Sequence, residues 1–174
     1  MTNTALSQAI KEAYAAAPSN VVTLHTLEFR HPAFSTPLRV VLDHVDHTCT
    51  LEVDAPADPG AAILFVGYSF DIVLPTVDGG AAPEVMITID NVSQEIEDSI
   101  NAALATTDKV LVTYRPYLST DLTAPAMNPP MTLTITSISA TQFQLTARAQ
   151  LGDYANKAFP GDDYTPARFP GLVR

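Results

Sequence analysis

Val85, Ile87 and Ile89 alternate with Met86, Thr88 and Asp90, and Val110, Val112 and Tyr114 repeat the same period of two, the pattern of half-buried strands. Between the two runs, Val92, Ile96, Ile100, Ala103 and Leu104 fall on one stripe at helical spacing, with Glu95, Glu97, Asp98 and Asn101 on the other faces. Asn91 is placed as the N-cap and Gln94 as its capping-box partner. A helix of about fourteen residues with one apolar face is not stable alone and must lie across a sheet. Residues 85–117 therefore read as strand, helix, strand, the unit around which the other strands assemble.

Residues 4–16 are rich in strong helix formers and stop before Pro18; Leu6, Ile10, Ala13 and Tyr14 form a narrow stripe that packs on its own domain or on a neighbour. Val21 to Phe29 and Leu38 to Leu42 are predicted strands, separated by a segment in which Pro32 and Pro37 forbid regular pairing. Cys49, Leu51 and Val53 alternate with polar neighbours, which predicts a third strand after a turn at His44 to His47. Leu64, Val66, Tyr68, Phe70, Ile72 and Leu74 place large side chains on one face of a strand expected to cross the core unbroken. Asp121 to Pro130 is a loop by composition, and the runs Met131, Leu133, Ile135 and Phe143, Leu145, Ala147, Ala149 form a hairpin.

Roughly seven or eight strands and two helices, without a βαβ rhythm, predict a mainly β, antiparallel sandwich or split barrel. One helix flanks it, a short one precedes it, and the domain spans residues 1–151. From Gly152 the pattern changes: Tyr154, Phe159, Tyr164 and Phe169 recur every five residues among Pro160, Pro166 and Pro170. Neither helix nor strand has that period. Residues 152–174 are read as an extended arm whose rings seek pockets, on this domain or on another subunit.

At 174 residues, with 47% hydrophobic residues and a mean hydropathy of +0.13, the chain is expected to bury one core. A net charge of -10 and only nine Lys and Arg argue against tight binding to nucleic acid, which depends on cations displacing counterions. The single cysteine, Cys49, allows no intrachain disulfide, and the start lacks a signal-peptide pattern, so synthesis in a reducing cytoplasm is expected. The longest apolar run, 61–74, is broken by Gly67, Ser69 and Asp71 and is too short to span a membrane.

The densest polar cluster is Asp43-His-Val-Asp-His-Thr-Cys49. Imidazole and thiolate suit zinc, which makes a small metal hydrolase on His44, His47 and Cys49 conceivable, yet no second ligand pair has a recognised spacing and a polar turn explains the residues. His25 and His31 read as strand and loop residues. Gly67-Tyr-Ser69-Phe-Asp71 lacks the second glycine of a nucleophile elbow, and all histidines precede it. Asp54, Asp58, Asp71 and Asp78 read as solvated loop ends, and Gly79-Gly80 as a turn. In Tyr114-Arg115-Pro116-Tyr117 a guanidinium stands between two rings, able to clamp a partner's carboxylate or to pair with an acidic neighbour in its own fold. No metal, cofactor or catalytic set is expected.

Whole segments carry more. Ala9-Ile-Lys-Glu-Ala-Tyr-Ala, Leu24-His-Thr-Leu-Glu-Phe-Arg-His-Pro-Ala-Phe, Ile89-Asp-Asn-Val-Ser, Val112-Thr-Tyr-Arg-Pro-Tyr-Leu and Phe159-Pro-Gly-Asp-Asp-Tyr-Thr-Pro-Ala-Arg-Phe-Pro-Gly-Leu resemble a family of small minor tail proteins of long-tailed bacteriophages. That family bears only a domain-of-unknown-function label, and its members are usually encoded between the tape measure protein and a tail-associated cysteine peptidase. The resemblance implies a non-enzymatic virion protein of the tail tip or baseplate, assembled in the bacterial host cytoplasm. It also implies a fold like distal tail and tail tube proteins. The implied partners are further copies in a trimeric or hexameric ring, the tail tube, the hub and the tape measure protein, with DNA passing unbound and no membrane contact. Tyr114, Arg115, Tyr117, Tyr154, Phe159, Tyr164 and Phe169 are the candidate contacts. An acidic lumen would repel passing DNA. The rival expectation is a carbohydrate- or receptor-binding sandwich with Tyr68, Tyr114 and Tyr117 as its platform.

Overall fold

A computed structural model of the chain describes residues 7–16, 21–73, 84–90, 98–100, 102–103, 105–141 and 144–151. The elements run α1 (Gln8–Ala16), β1 (Thr23–Arg30), β2 (Leu38–Leu42), β3 (His47–Thr50), β4 (Ala62–Tyr68), β5 (Phe70–Val73), β6 (Glu84–Asp90), β7 (Leu111–Leu118), β8 (Met131–Ala140) and β9 (Gln144–Gln150). Residues 98–100 and 102–103 are helical. The strands join laterally as β3-β4-β2-β1-β7-β8-β9-β6-β5. Their ladders are antiparallel except between β2 and β4.

Two features fold this sheet over. β4 and β5 lie towards opposite ends of the order yet only Ser69 separates them, and the Ser69 carbonyl accepts the Asp90 N–H at 3.1 Å. β8 pairs with β7 through Met131–Thr134 and with β9 through Thr134–Ala140, with a register shift between Ile135 and Ser137 that bends it from one half to the other. The halves enclose one core: Leu27, Phe29, Val40 and Val112 on one side, Val85, Ile87, Ile89 and Ala147 on the other. Ile100 and Ala103 of the second helix pack against it. This is the mainly β, sandwich-like architecture with a flanking and an N-terminal helix that the alternation predicts.

β1, β2 and β7 bury their outer face as well. Leu24, Val41 and Tyr117 meet Phe65 of β4, and Cys49, Leu51 and Ala55 cover them. α1 packs on its own domain, with Ile10 against Leu118 and Ala126, and the Ser7 N–H donates to the Ala126 carbonyl at 3.0 Å.

The run Leu64 to Leu74 differs from expectation. Over its described residues, Leu64 to Val73, it is two strands, and the inward side changes at Ser69: Phe65 is fully buried, whereas Leu64 and Val66 are 53% and 41% exposed, and beyond the break Phe70 is buried; Leu74 lies outside the described residues. One residue out of register exchanges every face of a strand, so a single alternation cannot describe both pieces. β3 ends at Thr50 and Val53 is 88% exposed, so the third strand is shorter than its pattern. β6 and β7, predicted to flank the helix, are separated in the sheet by β8 and β9; the helix joins the two halves rather than neighbouring strands. Asn91, Val92, Gln94, Ile96, Leu104 and Phe143 lie outside the described residues, as does the arm from Gly152.

Candidate functional site

The alternation of β7 sends Tyr114 into the core and Arg115 and Tyr117 to the outer face. Tyr114 stacks on His25, centroids 5.9 Å apart, with its hydroxyl and His25 Nδ1 hydrogen-bonded at 2.7 Å. Burial lowers the His25 pKa and favours the neutral imidazole.

Arg115 is fully buried. Its Nε and Nη2 donate to Glu52 Oε2 and Oε1, both at 2.7 Å, and its Nη1 lies 3.3 Å from Glu28 Oε1. Glu28, also fully buried, accepts a hydrogen bond from Arg39 Nε at 2.8 Å and forms an ion pair with Arg30 Nε at 3.2 Å, and Arg39 Nη2 donates to Asp58 Oδ2 at 2.6 Å. Three guanidinium groups thus face three carboxylates, with Asp58 half exposed, the bidentate Arg115–Glu52 pair the strongest geometry, and Glu28 Oε1, Arg30 Nε and Arg115 Nη1 held by charge alone without a hydrogen bond. Burial by itself would raise the Glu52 pKa; the hydrogen bonds and charge of Arg115 outweigh it and hold the carboxyl below its ordinary value. The same bonds outweigh burial at Arg115 and raise its pKa. Glu52 reaches this position on a compact turn, where its carbonyl accepts from Ala55 and Gly60, so the cluster clamps residues 51–61 to the sheet. Tyr117 belongs to the same layer: its hydroxyl donates to the Thr50 carbonyl at 2.8 Å, its ring meets Phe65, and burial pushes its phenol well above the ordinary value.

Two expected contacts are corrected by this geometry. Arg115 and Tyr117 present no surface, because the clamp and the cover over it absorb them; of the alternatives for Arg115, the acidic neighbour of its own fold holds. Tyr154, Phe159, Tyr164 and Phe169 lie outside the described residues. Tyr68, Tyr114 and Tyr117 do not form one platform: the first two pack on the inner core and the third on the outer layer.

The polar turn is used internally. His47 Nε2 and Asp43 Oδ2 are 2.7 Å apart, and this bond is the main reason the Asp43 pKa is lowered. Asp46 Oδ1 accepts the Gly67 N–H at 2.8 Å, and a Cβ at Gly67 would lie 2.9 Å from the carbonyl oxygens of both Asp43 and Val45. The turn rests on β4 at a point where only glycine leaves room. Cys49 is fully buried and burial pushes its thiol up to about 11. Among the described residues no three His, Cys, Asp or Glu side chains converge to hold a metal. His31 is a fold contact, with Nδ1 accepting from the Ala33 N–H and Nε2 near the Asp108 carbonyl.

Three features escape the sequence patterns. Among the described residues, the terminal strands of the sheet order, β3 and β5, pair on one side only, and exposed apolar side chains stand beside each: Leu64 and Val66 near β3, and Val73 paired with Met86 at β5, 56% and 38% exposed. The exposed face of β5, β6 and β9 carries Asp71, Glu84 and Asp90 against Arg148. A cavity of about 210 Å³ opens between the two halves, with His25 and Tyr114 as polar members of an otherwise apolar wall and Asp71 at its rim.

The chain belongs to the DUF1833 family, a domain of unknown function, whose sequence profile matches residues 9–164. No curated protein matches it.

Proposed function

We propose that this DUF1833 member is a structural, non-enzymatic protein of a bacteriophage tail tip or baseplate, acting by association with further copies of itself. In this reading a trimeric or hexameric ring, built in the host cytoplasm and carried in the virion, joins the tail tube to the hub and tape measure protein. The observation that supports it best is the pair of unlike apolar edges: Leu64 and Val66 beside β3, Val73 and Met86 beside β5. Two different surfaces on one chain make a heterologous contact, which closes into a ring when the rotation permits. At β3 the Thr50 N–H and carbonyl are already bonded to the Leu122 carbonyl and the Tyr117 hydroxyl, and β5 carries Asp71, so the contact in this reading runs through the exposed apolar side chains rather than through an open ladder.

Other features point the same way. The segments quoted from the sequence resemble minor tail proteins, and a sandwich with a flanking helix is the fold that the resemblance implies. Charged groups that could serve chemistry are spent on the fold, Arg115 on Glu52 and His47 on Asp43. On the exposed face of β5, β6 and β9, Asp71 and Asp90 stand away from Val73 and Met86, and this acidic end, turned to a lumen, would repel DNA. Phe159, Tyr164 and Phe169 are the arm's contacts with the next component.

Replacing both Leu64 and Val66 by glutamate tests the contact. These side chains are exposed in the single chain, so the variant should fold with an unchanged unfolding midpoint and sediment as a smaller species than the native protein. An assembly unaffected by both charges would remove the β3 edge from the account.

A further inference from the structure

We infer that the cavity between the two halves is a binding site for one small neutral molecule that joins an apolar ring to a single hydroxyl, a phenol in chemical class. Its wall comes from six strands: β1, β2 and β7 of one half, β5 and β6 of the other, and β8, which pairs into both. Leu27, Val85, Ile87 and Leu133 make a buried floor, and Leu42, 39% exposed, stands at the mouth with Asp71. Each of these strands is held by its neighbours in the sheet, so the space exists before a ligand arrives and binding has little to order.

Size, polarity and charge converge on that class. An apolar cavity of ~150 Å³ accepts benzene, so about 210 Å³ admits a benzene ring with one or two substituents. Inside the mouth, polar chemistry is confined to His25 and Tyr114, which share a hydrogen bond at 2.7 Å. Burial favours the neutral imidazole. With the Tyr114 hydroxyl donating to Nδ1, the imidazole proton sits on Nε2 and gives a ligand oxygen one donor. One polar group in an apolar wall orients a ligand that carries one polar group. No Lys or Arg lines the wall and Asp71 stands at the rim, so an anion of the same shape would lose its water without gaining a counter-charge. Carboxylates and phosphates are thereby rejected. The wall belongs to a single chain, and the inference stands whether or not the protein assembles.

Titration of the full-length protein with p-cresol at neutral pH, followed by amide NMR, tests it. Saturable binding with a Kd of about 0.1–1 mM is expected, with shifts confined to the six wall strands. Toluene should bind about fivefold more weakly, the worth of one hydrogen bond, and p-toluate should not bind up to about 5 mM. His25→Phe keeps a ring in the wall and removes the donor, so p-cresol should fall to the affinity of toluene while toluene is unchanged. Ile72→Phe, at a partly buried position of β5, fills the space and should abolish both without lowering the unfolding midpoint. The absence of saturable p-cresol binding would overturn the inference. So would p-toluate binding as tightly as p-cresol, native affinity for p-cresol in His25→Phe, or undiminished binding in Ile72→Phe.

Discussion

Arg115→Met keeps a long unbranched side chain in a sealed site and removes the charge between Glu28 and Glu52. Glu28 retains Arg39 at 2.8 Å and Arg30 at 3.2 Å, whereas Glu52 loses both of its 2.7 Å bonds while its side chain stays 9% exposed. Removing one partner of a buried pair costs about 3–5 kcal/mol, because the remaining charge is desolvated and unpaired. Against a total stability of about 5–15 kcal/mol that is a large share. At 2–4 °C per kcal/mol for a chain of this size, the melting temperature should fall by about 6–20 °C, read by circular dichroism at pH 7. Arg115→Met with Glu52→Gln should recover part of the loss, with a coupling above about 1 kcal/mol in the double-mutant cycle. Arg115→Lys should fall between, since an ammonium cannot reproduce the bidentate pair. A loss under about 1 kcal/mol for Arg115→Met would mean that the pair behaves as a hydrated surface bridge, and the clamp on residues 51–61 would have to be abandoned.

Further outcomes follow from the same geometry. Because the folded pKa of Glu52 lies below its ordinary 4.5, its contribution is present above pH 4.5 and is lost as pH falls through the lowered value; acid unfolding of Glu52→Gln should be correspondingly less steep. His25 is held neutral while the unfolded chain takes a proton near pH 6.5, so stability should decline as pH drops from 6.5 towards the folded value, and His25→Gln should flatten that slope in denaturant titrations. Gly67→Ala should destabilise by about 1–3 kcal/mol, as overpacking does, and speed amide exchange in residues 43–46; an unchanged midpoint would contradict the close approach of the turn. Native Cys49 should resist aromatic disulfide reagents and react only after unfolding, so prompt modification at pH 8 would contradict its burial.

Strands such as β6 and β9 were legible in the sequence because each is paired through its length and buries one face only, so Val85, Ile87 and Ile89 or Leu145, Ala147 and Ala149 print a clean period of two. β7 was legible as a strand but not in its partners. Its outer face is covered by a turn more than sixty positions earlier, and nothing local to Arg115 announces Glu28 or Glu52. Alternation over Leu64 to Leu74 misled because it assumes one unbroken strand, and the face change at Ser69 turned two expected core residues into surface. That error hid the apolar edge on which the proposed assembly rests. The cavity, too, depends on how the two halves close and has no sequence mark.

Light scattering on the purified protein, alone and mixed with the products of the neighbouring genes, reads the proposed ring directly as a mass. A closed trimer or hexamer, alone or on mixing, is the expected result. A monomer that persists in every mixture would contradict it.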